Sequence, residues 1–170
     1  MVGPDVLLHV RDQLVVALAG DIDPAGAVDH HRDTSVESVS PGSYATPVSD
    51  AYWVEPGRLL AGPHPNGRLE PFAEAGVTDY VDLTMEIPDF GTPSRRTMTR
   101  ILDRIDVLLA NGAVVYVHCR GGIGRTGTVV GCYLVRHGAT GEEAIATVTR
   151  LRGAGPETAE QRRLVLGWRG

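Results

Sequence analysis

Apolar positions along this chain alternate between short runs and longer sets at helical spacing. Ala51–Val54 and Arg58–Gly62 are short apolar runs around a Pro56–Gly57 turn, and they predict two paired strands. Leu69–Ala75 predicts a short helix stopped by Gly76, and Val77–Thr84 a third strand. From Ser94 to Ala110, Met98, Ile101, Leu102, Ile105, Leu108 and Leu109 line one face of a helix that Asn111–Gly112 ends. Ala113–Val117 is apolar and β-branched, the pattern of a strand covered on both faces. Thr126–Gly138 reads as a helix closed by a left-handed glycine. Thr140 and Glu143 form a capping box for a helix reaching about Arg152. Gly155–Arg163 predicts a last helix with Pro156 in its first turn.

Strands alternating with helices imply an α/β fold: one domain with a central, mostly parallel β-sheet flanked by helices. Residues 47–170 carry this pattern. Residues 1–46 read as an N-terminal extension. Within it, Val6–Ala19 could form an amphipathic helix, and Asp21–Pro47 has the polar, Pro- and Ser-containing composition of a loop or disordered linker. The His30–His31 pair there reads as solvated rather than metal-binding.

Composition narrows the function classes. A net charge of −5 argues against a nucleic-acid partner. No apolar run is long enough for membrane insertion, and Asp5, Arg11 and Asp12 interrupt the first apolar stretch, unlike a signal peptide. Two cysteines cannot make a disulfide framework and suit a reducing, cytoplasmic setting. Abundant Ala, Gly, Val and Arg with no lysine suggests a bacterial source of high GC content. The two cysteines and six histidines show no zinc-ligand spacing, so no metal or other cofactor is expected.

The chemistry concentrates in His118-Cys119-Arg120-Gly121-Gly122-Ile123-Gly124-Arg125-Thr126-Gly127. A strand, a glycine-rich loop and a helix N-terminus in that order make an anion site, because free N–H groups converge there and the helix dipole adds positive potential. Gly121, Gly122 and Gly124 allow successive N–H groups to turn inward as a nest. Arg125 is spaced to close on a bound oxyanion as a planar two-pronged donor. Cys119 lies beneath this potential, which favours a thiolate and so a nucleophile toward phosphorus. A second group is needed to protonate the leaving oxygen. Asp89, in the loop Ile87-Pro88-Asp89-Phe90-Gly91-Thr92-Pro93, is the leading candidate over Asp79, Asp82 and Glu86.

His-Cys-x5-Arg-Thr resembles the signature of the Cys-based protein tyrosine and dual-specificity phosphatase superfamily, in its bacterial form. The resemblance runs from about Pro47 to the C-terminus, with a Trp53-to-Gly62 entry common in these proteins and a Pro156-Glu157-Thr158-x-x-Gln161 segment near the end. It implies a phosphatase fold of dual-specificity size, and a phosphomonoester hydrolase acting through a cysteinyl-phosphate. By that resemblance residues 120–125 (Arg120, Gly121, Gly122, Ile123, Gly124, Arg125) bind phosphate, Cys119 attacks, and Asp89 is acid and then base. Thr126 supports the departing thiolate, His118 orders the loop, and Gln161 helps place the hydrolytic water. The implied partner is a phosphorylated protein, phosphotyrosine foremost. The positive charge of Arg120 at the pocket keeps phosphoinositides or inositol phosphates open as substrates. A phosphate-binding pseudoenzyme and a sulfur- or arsenate-handling thiol protein are the competing classes. Cys132 reads as a core residue, or as a partner for Cys119 under oxidation. The chain departs from the family where only Met85 and Glu86 separate Thr84 from Ile87. That shortening implies either a sheet short of one strand or an Ile87 that follows directly from the preceding strand, and it bears on where Asp89 lies.

Overall fold

The computed structural model describes residues 44–170. The expectations for Val6–Ala19, most of Asp21–Pro47 and the His30–His31 pair fall outside the described residues. The elements run β1 (Tyr52–Glu55), β2 (Leu59–Gly62), α1 (Glu70–Glu74), β3 (Asp79–Asp82), α2 (Arg95–Ala110), β4 (Val115–His118), α3 (Gly124–Arg136), α4 (Gly141–Arg152) and α5 (Ala159–Leu166). The sheet order is β1-β2-β4-β3. β1 and β2 form an antiparallel hairpin, and β2 and β3 both run parallel to β4. This is the α/β architecture that the alternation of periods predicts.

Side-chain alternation sends β4 to two cores. Val115 and Val117 face a large apolar cluster with Leu59 of β2, Val81 of β3, Met98, Leu102 and Ile105 of α2, and Val129 and Cys132 of α3. Tyr116 points the other way, into a smaller cluster with Leu60, Val77 and Phe72 of α1. Helices therefore cover both faces, and β4 is buried along its whole length, as a central parallel strand must be.

Helix ends follow local chemistry. The Ser94 hydroxyl caps α2 by accepting the Thr97 N–H at 3.1 Å. Thr140 and Glu143 cap α4 reciprocally, at 3.2 and 2.8 Å, and Gly153 closes it with φ +79°. The last helix differs from expectation: it begins at Ala159, not beside Pro156. Thr158 and Gln161 form a second capping box, which satisfies two otherwise free N–H groups and so decides the start.

Both β3 and β4 start later than their apolar runs suggest, and β3 also ends earlier. Ala113 donates its N–H to Leu108 and so belongs to the close of α2, which delays β4 to Val115. β3 ends at Asp82, whose Oδ1 accepts from both the N–H and the hydroxyl of Thr84 and turns the chain. Beyond this turn no further strand intervenes before Asp89, so β3 is an edge strand. Ile87 is buried against the main core and its N–H reaches the Leu83 carbonyl. The shortened connection is thus a compact buried turn, not a displaced loop.

Leu102 has no exposed surface and sits in the main core. Leu102→Ala is expected to lower the unfolding free energy by about 2–5 kcal/mol, against about 1 kcal/mol for removing a cap with Thr140→Ala. Urea denaturation of the two variants checks the order.

Candidate active site

The anion loop starts where β4 ends. Cys119 is buried directly after the strand, and residues 120–123 swing round into the first turn of α3. Among the described residues, no backbone carbonyl accepts the N–H groups of residues 120–123. The same turn carries the free amides of a helix N-terminus, so these donors are available to an anion.

Two glycines have steric reasons to be there. Gly122 has φ +68°, and a Cβ on it would run into the Gly62 carbonyl carbon and the Pro63 nitrogen, where the end of β2 presses on the loop. A Cβ on Gly124 would strike the Glu157 carboxylate and sit 2.9 Å from Gln161 Oε1. Gly121 differs from the sequence reading: open space surrounds it and its φ is not positive, so sterics do not demand glycine there. Its role in the loop is limited to its amide and its carbonyl. That carbonyl lies 3.5 Å from Arg152 Nη2, and the Arg120 carbonyl accepts the His64 N–H at 3.2 Å.

Arg125 is 6% exposed, and its guanidinium points at the acid loop. Nη1 donates to the Ile87 carbonyl at 3.1 Å and Nη2 to Asp89 Oδ1 at 2.8 Å. Asp89 is more than half exposed. The rival carboxylates are engaged elsewhere: Asp79 with the Thr78 hydroxyl, Asp82 with Thr84, Glu86 with Arg100 at 2.8 Å. Among the described residues, Asp89 is thus the carboxylate in contact with the loop arginine.

Thr126 is fully buried and its hydroxyl has no partner among the described residues. Gln161 is buried too, and it bridges two segments. Its Oε1 accepts from the N–H groups of Glu157 and Thr158 at 2.8 and 3.2 Å, and its Nε2 donates to the Gly91 carbonyl at 3.0 Å. Since the amide also packs on Gly124, it links the acid loop to the anion loop. Sequence reasoning puts Gln161 near the site but misses this strut, because its partner is a backbone carbonyl 70 residues away.

His118 is buried at the end of β4, and its Nδ1 has no hydrogen-bond partner among the described residues. Burial lowers its pKa to about 4; the nearby Asp82 carboxylate opposes that shift, His64 reinforces it, and a hydrogen bond with the Cys119 backbone opposes it. The ring is therefore neutral near pH 7. Its rim includes His64, whose ring centroid is 5.2 Å away edge-on. His64 and Arg152 are not legible as site neighbours, since neither belongs to a motif. Cys132 is a free, buried thiol in the apolar core, and burial raises its pKa to about 12. On the acid loop Phe90 is 63% exposed with φ +56°, unusual for a bulky residue.

A family model described as "polymorphic toxin system, DSP-PTPase phosphatase" matches residues 69–139. Dual specificity protein phosphatase CDC14AB of Danio rerio is 32% identical, over 58% of this chain and 21% of its own length. Cyclin-dependent kinase inhibitor 3 of Sus scrofa is 34% identical, over 41% of this chain and 34% of its own. The chain thus spans about a fifth to a third of these relatives. Among solved structures, the active form of Tk-PTP superposes with a TM-score of 0.62 at 27% identity, covering 69% of this chain and 94% of that one. PTPMT1 in complex with PI(5)P gives 0.60 at 18% identity, covering 71% and 94%, a likeness of fold alone.

The steric argument for Gly122 has a direct consequence. Gly122→Ala is expected to keep the circular-dichroism spectrum while weakening binding of inorganic phosphate or vanadate at least about tenfold, as the loop's amides tilt off the anion. Isothermal titration measures it, with Gly121→Ala as the milder comparison.

Proposed function

We propose that this chain, which belongs to the Cys-based protein tyrosine and dual-specificity phosphatase superfamily, hydrolyses phosphomonoesters on proteins through residues 47–170. One observation carries the reading: Arg125, rooted in the anion loop beside Cys119, is hydrogen-bonded to Asp89 of the acid loop at 2.8 Å. That contact supports reading the nucleophile loop, the oxyanion clamp and the proton donor as one site despite the shortened connection, and it speaks against the pseudoenzyme reading.

The substrate phosphate occupies the nest of residues 120–125, and its dianion takes over Arg125 from Asp89 as a bidentate partner. Cys119 Sγ attacks phosphorus in line, forming the S–P bond as the P–O bond to the leaving group breaks. Asp89 gives its proton to the departing oxygen. Water then attacks the cysteinyl-phosphate, giving its proton to Asp89, and the S–P bond breaks to release inorganic phosphate and the thiolate. The unpartnered Thr126 hydroxyl donates to that sulfur. Gln161 uses one amide hydrogen on Gly91; the other is the group that would steer the water. His118, neutral and buried, orders the loop and transfers no proton.

Phosphotyrosine is the foremost substrate in this reading. The exposed Phe90 ring next to Asp89 offers an aromatic face at the rim for the substrate ring. A cytoplasmic setting, which keeps Cys119 reduced, belongs to the same proposal.

Turnover of p-nitrophenyl phosphate and a phosphotyrosine peptide tests it. Cys119→Ser is expected to abolish phosphate release. Asp89→Asn is expected to lower kcat by about 10²–10⁴-fold on the peptide and by less on p-nitrophenyl phosphate, whose leaving group needs little protonation. Normal turnover by Cys119→Ser would refute the proposal.

A further inference from the structure

The anion loop is tied from outside at two neighbouring carbonyls. The Arg120 carbonyl accepts the His64 backbone N–H at 3.2 Å, and the Gly121 carbonyl faces Arg152 Nη2 at 3.5 Å. The second tie comes from the last residue of α4, 31 residues further along the chain. The other terminal nitrogen of Arg152, Nη1, lies 3.2 Å from Oδ1 of Asp50, which stands just ahead of β1. Asp50, Arg152 and Gly121 thus form a line that ends on the loop.

Nothing in α4 itself asks for this arrangement. Gly153 closes the helix with φ +79°, and the exposed Arg150 in the same turn already supplies a cation for the helix dipole. Arg152 instead keeps a side chain only 16% exposed. Its Nε is inaccessible to solvent and has no hydrogen-bond partner among the described residues. Burying an unmet donor of a cation costs stability, and an ion pair with Asp50, itself 60% exposed, offsets little of that. The gain lies on the loop.

Peptide geometry says what that gain is. The peptide bonds of the described residues are all trans, so the Gly121 carbonyl and the Gly122 N–H point in opposite directions. A carbonyl held on the outer side of the loop turns the next N–H to the concave side. Gly121 needs such a hold, because open space surrounds it and a glycine backbone rotates freely. We propose that Arg152 is a positioning residue for phosphate binding: oriented by Asp50, it holds the Gly121 carbonyl so that the Gly122 N–H faces the bound oxyanion. The inference rests on reading residues 120–125 as the phosphate nest. At 3.5 Å the contact is long. An anion that accepts the Gly122 N–H polarises this peptide and makes its carbonyl a better acceptor, so the anion and Arg152 strengthen each other's hold on the loop.

Binding of inorganic phosphate to the full Cys119→Ser chain, followed by isothermal titration, tests this without turnover. Adding Arg152→Ala is expected to weaken binding about tenfold. Guanidinium chloride, far below the concentration that unfolds the chain, is expected to restore most of it where sodium chloride does not. Asp50→Ala is expected to weaken binding about threefold. With Cys119 in place, Arg152→Ala is expected to lower kcat/KM for p-nitrophenyl phosphate and for a phosphotyrosine peptide by the same factor, unlike Asp89→Asn, because the defect lies in the nest and not in the acid. Unaltered phosphate affinity in Arg152→Ala, or a loss that guanidinium does not restore, would overturn the proposal and leave Arg152 a structural tie. If circular dichroism shows Arg152→Ala unfolded, Arg152→Lys decides: one ammonium cannot serve Asp50 and Gly121 together, so weaker binding is expected and unchanged binding overturns the proposal. A parent chain that binds no phosphate would overturn both this inference and the nest. A wild-type chain that binds phosphate yet hydrolyses neither substrate would refute the phosphatase reading alone.

Discussion

The geometry of this molecule hangs on the guanidinium of Arg125. It is almost wholly buried, and a buried cation must find hydrogen-bond acceptors or destabilise the fold. It finds them on a segment far away in sequence, at the Ile87 carbonyl and the Asp89 carboxylate. Because Asp89 is more than half exposed, the ion pair adds little to stability. What it fixes is position: the acid loop cannot drift from the anion loop while Arg125 needs partners.

The rest of the site follows from the sheet. β2 and β3 flank β4 and run parallel to it, so whatever follows each of the three strands converges at their shared carboxyl end. Pro63 and His64 come from β2, the Asp82–Thr84 turn from β3, and Cys119 from β4. The glycine at 122 lets the end of β2 press against the anion loop. Gln161, brought in by α5, then ties Gly91 to the other side of that loop. The glycine-rich loop is therefore braced from two sides, by the end of β2 at Gly122 and by Gln161 at Gly124, and such bracing is the preorganisation that the proposed electrostatic catalysis calls for.

Much of this is legible in the sequence because the signals are local. The apolar face of Ser94–Ala110, the Thr140–Glu143 box and the order strand, glycine loop, helix N-terminus each depend on residues within one or two turns. The shortened segment after Thr84 is legible as a departure, but its outcome is not. Whether it leaves Asp89 in place depends on Ile87 being buried and on Arg125 reaching its carbonyl, both long-range facts. The last helix starts later than Pro156 suggests, since two start signals compete there and the Thr158–Gln161 box satisfies more N–H groups. His64 and Arg152 carry no motif, and only the fold brings them beside the anion loop.

Catalysis in this scheme rests most directly on a covalent bond between Cys119 and phosphorus. Rapid acid quench of the enzyme turning over a phosphotyrosine peptide, followed by mass spectrometry of the peptide containing Cys119, looks for that bond. A phosphate adduct on Cys119 is predicted, appearing within one turnover and disappearing as substrate is exhausted. Continued turnover with no adduct on Cys119, or with one on another residue, would contradict it.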